Sequence, residues 1–170
     1  PTTGQRPEAL FTHIPGLNVV VPSTPSDAYG LMLTALDTPG VTLFFEDRMI
    51  KDEGPWQQGD ETLTGPLLFG TCSLRKMGKR GASTILTYGV MRQVVERILA
   101  PFKFDGDHYA ADYLMLCDLI DLRTLYPLDW AFIRKMLERT GRLVIIEPDI
   151  QYGGIGAEIA ATIAEAMPHV

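Results

Sequence analysis

Residues 11–31 read FTHIPGLNVVVPSTPSDAYGL, from Phe11 to Leu31. Leu17 to Val21 is a short, Val-rich apolar run of the kind that forms a strand buried on both faces. Pro22 ends it, because proline cannot donate to a sheet ladder. Thr24-Pro25-Ser26-Asp27 then has the chemistry of a helix start. Thr24 can cap the first turn, Pro25 fits the first helical position, and Asp27 sits where a carboxylate meets the positive end of the helix dipole. The helix is predicted to run to about Leu36 and to stop at Asp37-Thr38-Pro39-Gly40. Val41 to Phe45 is the next strand, with Glu46 at its C-terminal end.

Downstream the character changes. Residues 47–82 carry glycines at 54, 59, 65, 70, 78 and 81 and prolines at 55 and 66, with little apolar periodicity. That composition marks a connection between packed units, with room for a short strand within Leu67 to Leu74. A second α/β pattern follows. Thr84 to Tyr88 is a strand, and Val90, Val94, Val95, Ile98 and Leu99 form a helical apolar face. Pro101 to Asp112 is an irregular insertion before a strand over Tyr113 to Leu122. Asp129 caps a helix with Trp130, Ile133, Met136 and Leu137 on one side and Gly141 as its stop. Leu143 to Ile146 is a strand ending in Glu147, and Ile155, Ile159, Ile163 and Met167 face a sheet from the last helix. Alternating strands and helices define the fold class as α/β, with a mostly parallel sheet and right-handed crossovers.

With 46% hydrophobic and 21% charged residues, the 170-residue chain has the composition of a folded protein rather than a disordered one. A net charge of −6 argues against nucleic-acid or anionic-membrane surfaces, which need clustered Lys and Arg. Arg75-Lys76 and Lys79-Arg80 read as a solvated stretch of linker. Cys72 and Cys117 follow no ligand or redox pattern and are expected as reduced thiols, Cys117 in a buried strand. No apolar run reaches the roughly 18–20 residues that span a bilayer. Two parallel strands with one helix cannot cover themselves, so residues 1–48 are expected to need more chain or another subunit. Pro1 is not an initiator residue, and the last helix stops at Pro168-His169-Val170, so both ends are expected to be trimmed.

The ordered set FTHIPGLNVVVPSTPSDAYGL, VTLFFE, STILTYG, IDLRTLYPLD, TGRLVIIEP and GGIGAEIA closely resembles the β-subunit of the thiamine-diphosphate-dependent decarboxylase component of 2-oxo acid dehydrogenases. The resemblance implies three parts. Residues 1–48 are the second half of a pyrimidine-binding domain, 49–82 a linker, and 83–170 a transketolase-type C-terminal domain. It also implies thiamine diphosphate with Mg, oxidative decarboxylation of a 2-oxo acid, and acyl transfer to a lipoyl group. The implied partners are an α-subunit in a heterotetramer, a second β-subunit, and the lipoyl-bearing acyltransferase core, in a bacterial cytoplasm or a mitochondrial matrix. Two alternatives stay open: a non-catalytic assembly module derived from such a β-subunit, or another transketolase-like thiamine enzyme.

The resemblance supplies no catalytic or cofactor-binding residue within the chain. The family's activating glutamate, its stacking aromatic and its catalytic-loop histidine fall upstream of the match to Glu8-Ala9-Leu10 or are replaced, with Thr3 at the histidine's place. By position the family's potassium loop falls on Ala35, Leu36, Thr38 and Gly40, where Thr38 and Gly40 replace Asp and Asn. The competing reading is an ordinary helix end. His13 is read as a hydrogen-bonded loop histidine rather than a catalyst. His108 and His169 lack metal-ligand spacing. Gly153-Gly154-Ile155-Gly156 imitates a phosphate loop, but Ile159 stands where its third glycine belongs, so a tight turn with close helix packing is expected. Arg123, at the end of the central strand, is either a ligand-facing residue or a partner for Asp121 or another subunit.

Overall fold

The computed structural model describes residues 6–51, 65–76, 83–99 and 117–170. A short helix α1 (Glu8–Thr12) leads into strand β1 (Leu17–Val20), helix α2 (Pro25–Asp37), strand β2 (Val41–Phe44) and the single turn α3 (Arg48–Lys51). Strand β3 (Ser73–Lys76), strand β4 (Ser83–Thr87) and helix α4 (Val90–Leu99) follow. Strands β5 (Cys117–Asp121) and β6 (Thr124–Tyr126), helix α5 (Trp130–Thr140), strand β7 (Leu143–Ile146) and helix α6 (Ile155–Ala166) complete the order. The 101–112 insertion and the first residues of the strand expected from Tyr113 lie outside the described residues.

The strands form two sheets, one ordered β2-β1-β6 and the other β3-β5-β4-β7. In the second, β4 lies parallel to both β5 and β7, while β3 runs antiparallel along β5. The expected short strand therefore forms at 73–76, later than the interval read from the sequence. Residues 65–68 make a different contact. Leu67 donates its N–H to the Gly30 carbonyl at 2.9 Å, and Thr34 Oγ1 donates to the Leu67 carbonyl at 2.7 Å. The segment thus crosses α2 as a strap, and its approach leaves no room for a side chain at Gly30.

The two sheets meet where the chain leaves β5. The Leu122 N–H still extends the ladder, donating to the Thr87 carbonyl at 2.9 Å. Arg123 then turns with φ 58°, a left-handed conformation uncommon for a residue with a Cβ. Beyond it β6 pairs antiparallel with β1, Val19 opposite Tyr126 and Val20 opposite Thr124 across a bulge, and the Val21 N–H donates to the Arg123 carbonyl at 2.8 Å. A single stretch of ten residues, 117–126, therefore contributes a strand to each sheet.

This crossing supplies further chain of the kind residues 1–48 are expected to need: β6 pairs the side of β1 away from β2. Val19, Val21 and Ala9 also join Leu86, Tyr88, Ile120, Leu122, Ile133 and Ile159 in one buried cluster. Val19 and Val20 have no exposed surface. Burial of a side chain of that size is worth about 1.5–3 kcal/mol, so the first two strands are stabilised by the rest of the chain.

The helix faces agree with the sequence reading in part. In α5, Asp129 accepts from the Phe132 N–H at 3.1 Å, Ile133, Met136 and Leu137 are buried, and Gly141 closes the helix at φ 65°. In α4 the inner face is instead Val90, Arg92, Gln93 and Val95, and Ile98 is 61% exposed. The polar residues turn inward because the loop after β1 presents the Ser23 carbonyl to them, at 3.3 Å from Arg92 and 3.2 Å from Gln93.

A Cβ on Gly30 would stand 2.6 Å from Leu67 Cγ and 3.0 Å from the Gly65 carbonyl. Gly30→Ala should therefore displace the strap while raising the intrinsic helix propensity of α2 by about 1 kcal/mol. Hydrogen exchange should show the Leu67 amide losing protection while β4 and β5 amides keep theirs.

Candidate functional site

The loop at Ala35 to Gly40, where the resemblance implies a potassium site, closes α2. The helix runs to Asp37, and Thr38 follows with an extended backbone. Thr38 Oγ1 donates to the Thr34 carbonyl at 2.7 Å, so this hydroxyl caps the helix. The Ala35 carbonyl is different. Its helical donor would be the N–H of residue 39, which is proline and has none. The Leu36 carbonyl receives no backbone bond from Gly40 among the described residues, and Gly40 turns with φ 107°. Two adjacent carbonyls at the negative end of a helix dipole thus lack helical donors, which suits a hard monovalent cation. Leu36 is 79% exposed. Among the described residues no three or more His, Cys, Asp and Glu side chains gather as a metal site.

A second, largely buried polar cluster forms where the sheets meet. Ser23 Oγ donates to Asp121 Oδ1 at 2.8 Å, and the Arg123 N–H donates to the same oxygen at 3.2 Å. Arg123 does not aim its guanidinium at Asp121 as one reading expected. Its Nε stands 2.9 Å from Asp27 Oδ1, and Asp27 also accepts from Thr24 Oγ1 at 2.7 Å. Asp27 thereby serves the helix start and the sheet junction together. Burial, with the Asp27 charge beside it, raises the Asp121 carboxyl from 3.8 to about 7. Cys72, packed against the apolar core, adjoins this cluster, its N–H donating to Asp129 Oδ2 at 3.2 Å. Burial first, then the charges of Asp129 and Asp121, pushes its thiol up to about 12.

A third group surrounds Glu147, at the C-terminal end of β7. Glu147 Oε2 accepts from the Gly156 N–H at 2.9 Å and lies 3.4 Å from the Tyr88 hydroxyl. A Cβ at Gly156 would meet Glu147 Oε1 at 2.6 Å. The glycine loop therefore closes on a carboxylate of its own chain, and the N-terminus of α6 is already supplied with a negative charge. This agrees with the tight-turn reading. Glu8, almost fully buried in α1, has its carboxyl raised chiefly by burial, and burial likewise raises the Tyr88 phenol.

His13 ends α1 in an exposed position, and its ring is hydrogen-bonded to no described residue. It lines a cleft of ≈ 480 Å³ together with Tyr126, Trp130 and Glu158. Open α/β sheets bind ligands beyond the C-terminal ends of their strands. Past the ends of β1 and β2 the available hollow, between Pro22, Pro25, Ala28, Glu46, Asp47 and Ile50, is ≈ 210 Å³. Ligand pockets start at about 300 Å³. This hollow does not reach that size. Nor does any described helix have the length and apolarity to cross a membrane.

Two sheets joined by a strand that changes partner, with parallel β5-β4-β7 flanked by helices, define a transketolase-type arrangement. The transketolase C-terminal domain family matches residues 78–169, and the transketolase pyrimidine-binding domain family matches residues 2–51. The chain belongs to the transketolase C-terminal domain family. It is 33% identical over 162 residues to 2-oxoisovalerate dehydrogenase subunit beta 2, mitochondrial, of Arabidopsis thaliana, covering 95% of this chain and 42% of that one. It is 33% identical over 165 residues to the beta subunit of 2-oxoisovalerate dehydrogenase of Bacillus subtilis, covering 95% and 46%. Against the pyruvate dehydrogenase E1 component subunit beta of Leifsonia xyli the identity is 30% over 162 residues, covering 95% and 44%. The chain thus spans less than half the length of these relatives. Among solved structures, a split-gene transketolase described as an inactive tetramer of β chains superposes with a TM-score of 0.69 at 17% identity. That superposition covers 95% of this chain and 48% of the other, and it speaks to the fold alone.

The thiol chemistry at the junction is directly measurable. With its pKa near 12, Cys72 is thiolate in only about one part in ten thousand at pH 8. Alkylation by iodoacetamide at pH 8 should be slower at Cys72 in the folded chain than in urea by roughly a thousandfold, as peptide mass spectrometry would report.

Proposed function

We propose that this chain serves as the structural and assembly portion of a β-subunit in a thiamine-diphosphate-dependent 2-oxo acid dehydrogenase. The observation that carries this reading is the pair of family matches, in order, with about a third of residues identical to dehydrogenase β-subunits over 95% of the chain. In this reading the whole enzyme decarboxylates a 2-oxo acid and passes the acyl unit to a lipoyl group. The chemistry belongs to the cofactor, held with Mg by an α-subunit and by protein outside these 170 residues. The chain contributes its two-sheet scaffold, contacts with the α-subunit and a second β-subunit, and docking toward the lipoyl-bearing core. The alternative is a non-catalytic assembly module derived from such a β-subunit.

Both readings agree on the isolated chain, which should be inactive with 2-oxo acids. Titration calorimetry with thiamine diphosphate and Mg should give no binding in the micromolar range, and a micromolar Kd would overturn the assignment of the cofactor site to other protein. The same chain, mixed with an α-subunit and supplied with the remaining β-subunit sequence, should turn over pyruvate, a branched-chain 2-oxo acid or acetoin under the enzymatic reading and none of them under the alternative.

The loop Ala35, Leu36, Thr38 and Gly40 is proposed as a potassium site formed by backbone carbonyls, with the Ala35 carbonyl, which has no helical donor, as its anchor. A ligand present at about a hundred times its Kd stabilises the folded state by roughly 2.7 kcal/mol. The thermal midpoint should therefore rise in KCl relative to choline chloride at equal ionic strength. Equal midpoints would leave the loop as a capped helix end.

A further inference from the structure

The cluster between the sheets combines ionisable groups from elements far apart in the sequence. Ser23 comes from the loop after β1, Asp27 from α2, Arg92 and Gln93 from α4, Asp121 from β5 and Arg123 from the crossing. Ser23, Asp27, Arg92, Gln93 and Asp121 are each no more than 3% exposed. We infer that Asp121 is the proton-operated latch that holds the pyrimidine-type segment, residues 6–51, against the C-terminal unit. The carboxyl group closes the latch when neutral and loosens it when ionised.

The geometry favours a neutral Asp121. Its Oδ1 accepts from Ser23 Oγ and the Arg123 N–H, but its Oδ2 is buried without a hydrogen-bond partner among the described residues. A carboxylate spreads its charge over both oxygens, and leaving one bare in the interior is costly. A carboxylic acid confines the unmet need to one hydroxyl. The strand register sets Thr87 directly beside Asp121, and Thr87 Oγ1 is likewise buried without a partner.

The two nearby cations are already engaged. Arg123 is paired with Asp27 at 2.9 Å, and Arg92 donates to Glu96 and to the Ser23 carbonyl. The remaining groups that act on Asp121 or adjoin it are Asp27, whose charge disfavours a second carboxylate, and the Cys72–Asp129 pair. Gln93 is uncharged and binds the Ser23 carbonyl. The Ser23 hydrogen bond and the charges of Arg92 and Arg123 favour the ionised form, but burial and the Asp27 charge outweigh them, so ionising Asp121 adds a costly second buried anion beside Asp27. Opening the junction, which parts Ser23 from Asp121 and the Val21 N–H from the Arg123 carbonyl, lets water reach that anion.

The sign follows from linkage. Asp121 has its folded value raised to about 7 from 3.8, so its contribution to holding the segment is complete in acid. That contribution declines as pH rises between those values and is lost above about 7. In this window opening releases one proton, and the opening constant climbs by up to roughly tenfold per pH unit.

The test is hydrogen exchange on the 170-residue chain between pH 5 and 8.5, corrected for intrinsic exchange, with infrared titration of the carboxyl bands. Protection at Val19, Val20 and Val21 should fall by up to roughly tenfold per pH unit to about pH 7 and then level off. Ile85 and Leu86 in the other sheet should change far less. Asp121→Asn should flatten the pH dependence at Val19 to Val21. A pH-independent wild-type profile, or an unchanged slope in Asp121→Asn, overturns the latch. Should Asp121→Asn fail to fold, the wild-type infrared titration decides. A carboxyl titrating between about 6 and 8, whose midpoint moves in Ser23→Ala, supports the latch, and its absence overturns it.

Discussion

The two halves of this molecule depend on a change of partner at Arg123. Up to Asp121 the chain is the centre of a sheet with β3 and β4, and after Thr124 it is the edge of another sheet with β1. A chain can make such a turn within two residues only through an unusual backbone conformation, and Arg123 adopts one. Its cost is met by the interactions around it: the Val21 N–H on its carbonyl, Asp121 on its N–H and Asp27 on its guanidinium. The residues that force the turn are therefore also those that join the sheets.

This arrangement explains the unusual polarity of the interior. A β-sheet junction normally packs apolar side chains, yet here Ser23, Asp27, Arg92, Gln93 and Asp121 are nearly inaccessible. Removing one partner from such a group leaves another uncompensated, so the cluster tolerates single changes poorly. It also demands one relative placement of the segments, since hydrogen bonds are directional where apolar contacts are not. The apolar cluster supplies the driving force and the polar one supplies the register.

The alternating pattern made the α/β class legible, and local chemistry placed the ends of several elements. Thr24 caps α2, Asp129 caps α5 and Gly141 ends α5 because each acts on neighbours within four residues. The three-residue strand β6 was hidden. Thr124-Leu125-Tyr126 is too short to show a period, and nothing local tells that it leaves one sheet for another. The inner face of α4 was misread for a related reason: Arg92 and Gln93 look solvent-facing until the Ser23 carbonyl appears opposite them. The loop at Ala35 to Gly40 was legible as a helix end, and the missing donor at Pro39 could have been read there too. That Thr38 spends its hydroxyl on the Thr34 carbonyl required the fold.

By itself the sequence determined what depends on short range: where helices start and stop, which strands are buried, and the ordered motifs that mark the family. The tertiary structure alone decided that Asp121 meets Ser23, and that Arg123 answers Asp27 rather than its neighbour. It also decided that the glycines before α6 close on Glu147. Those contacts join residues separated by as many as 98 positions. No local propensity encodes them, because each exists only after the hydrophobic core has brought the two sheets together.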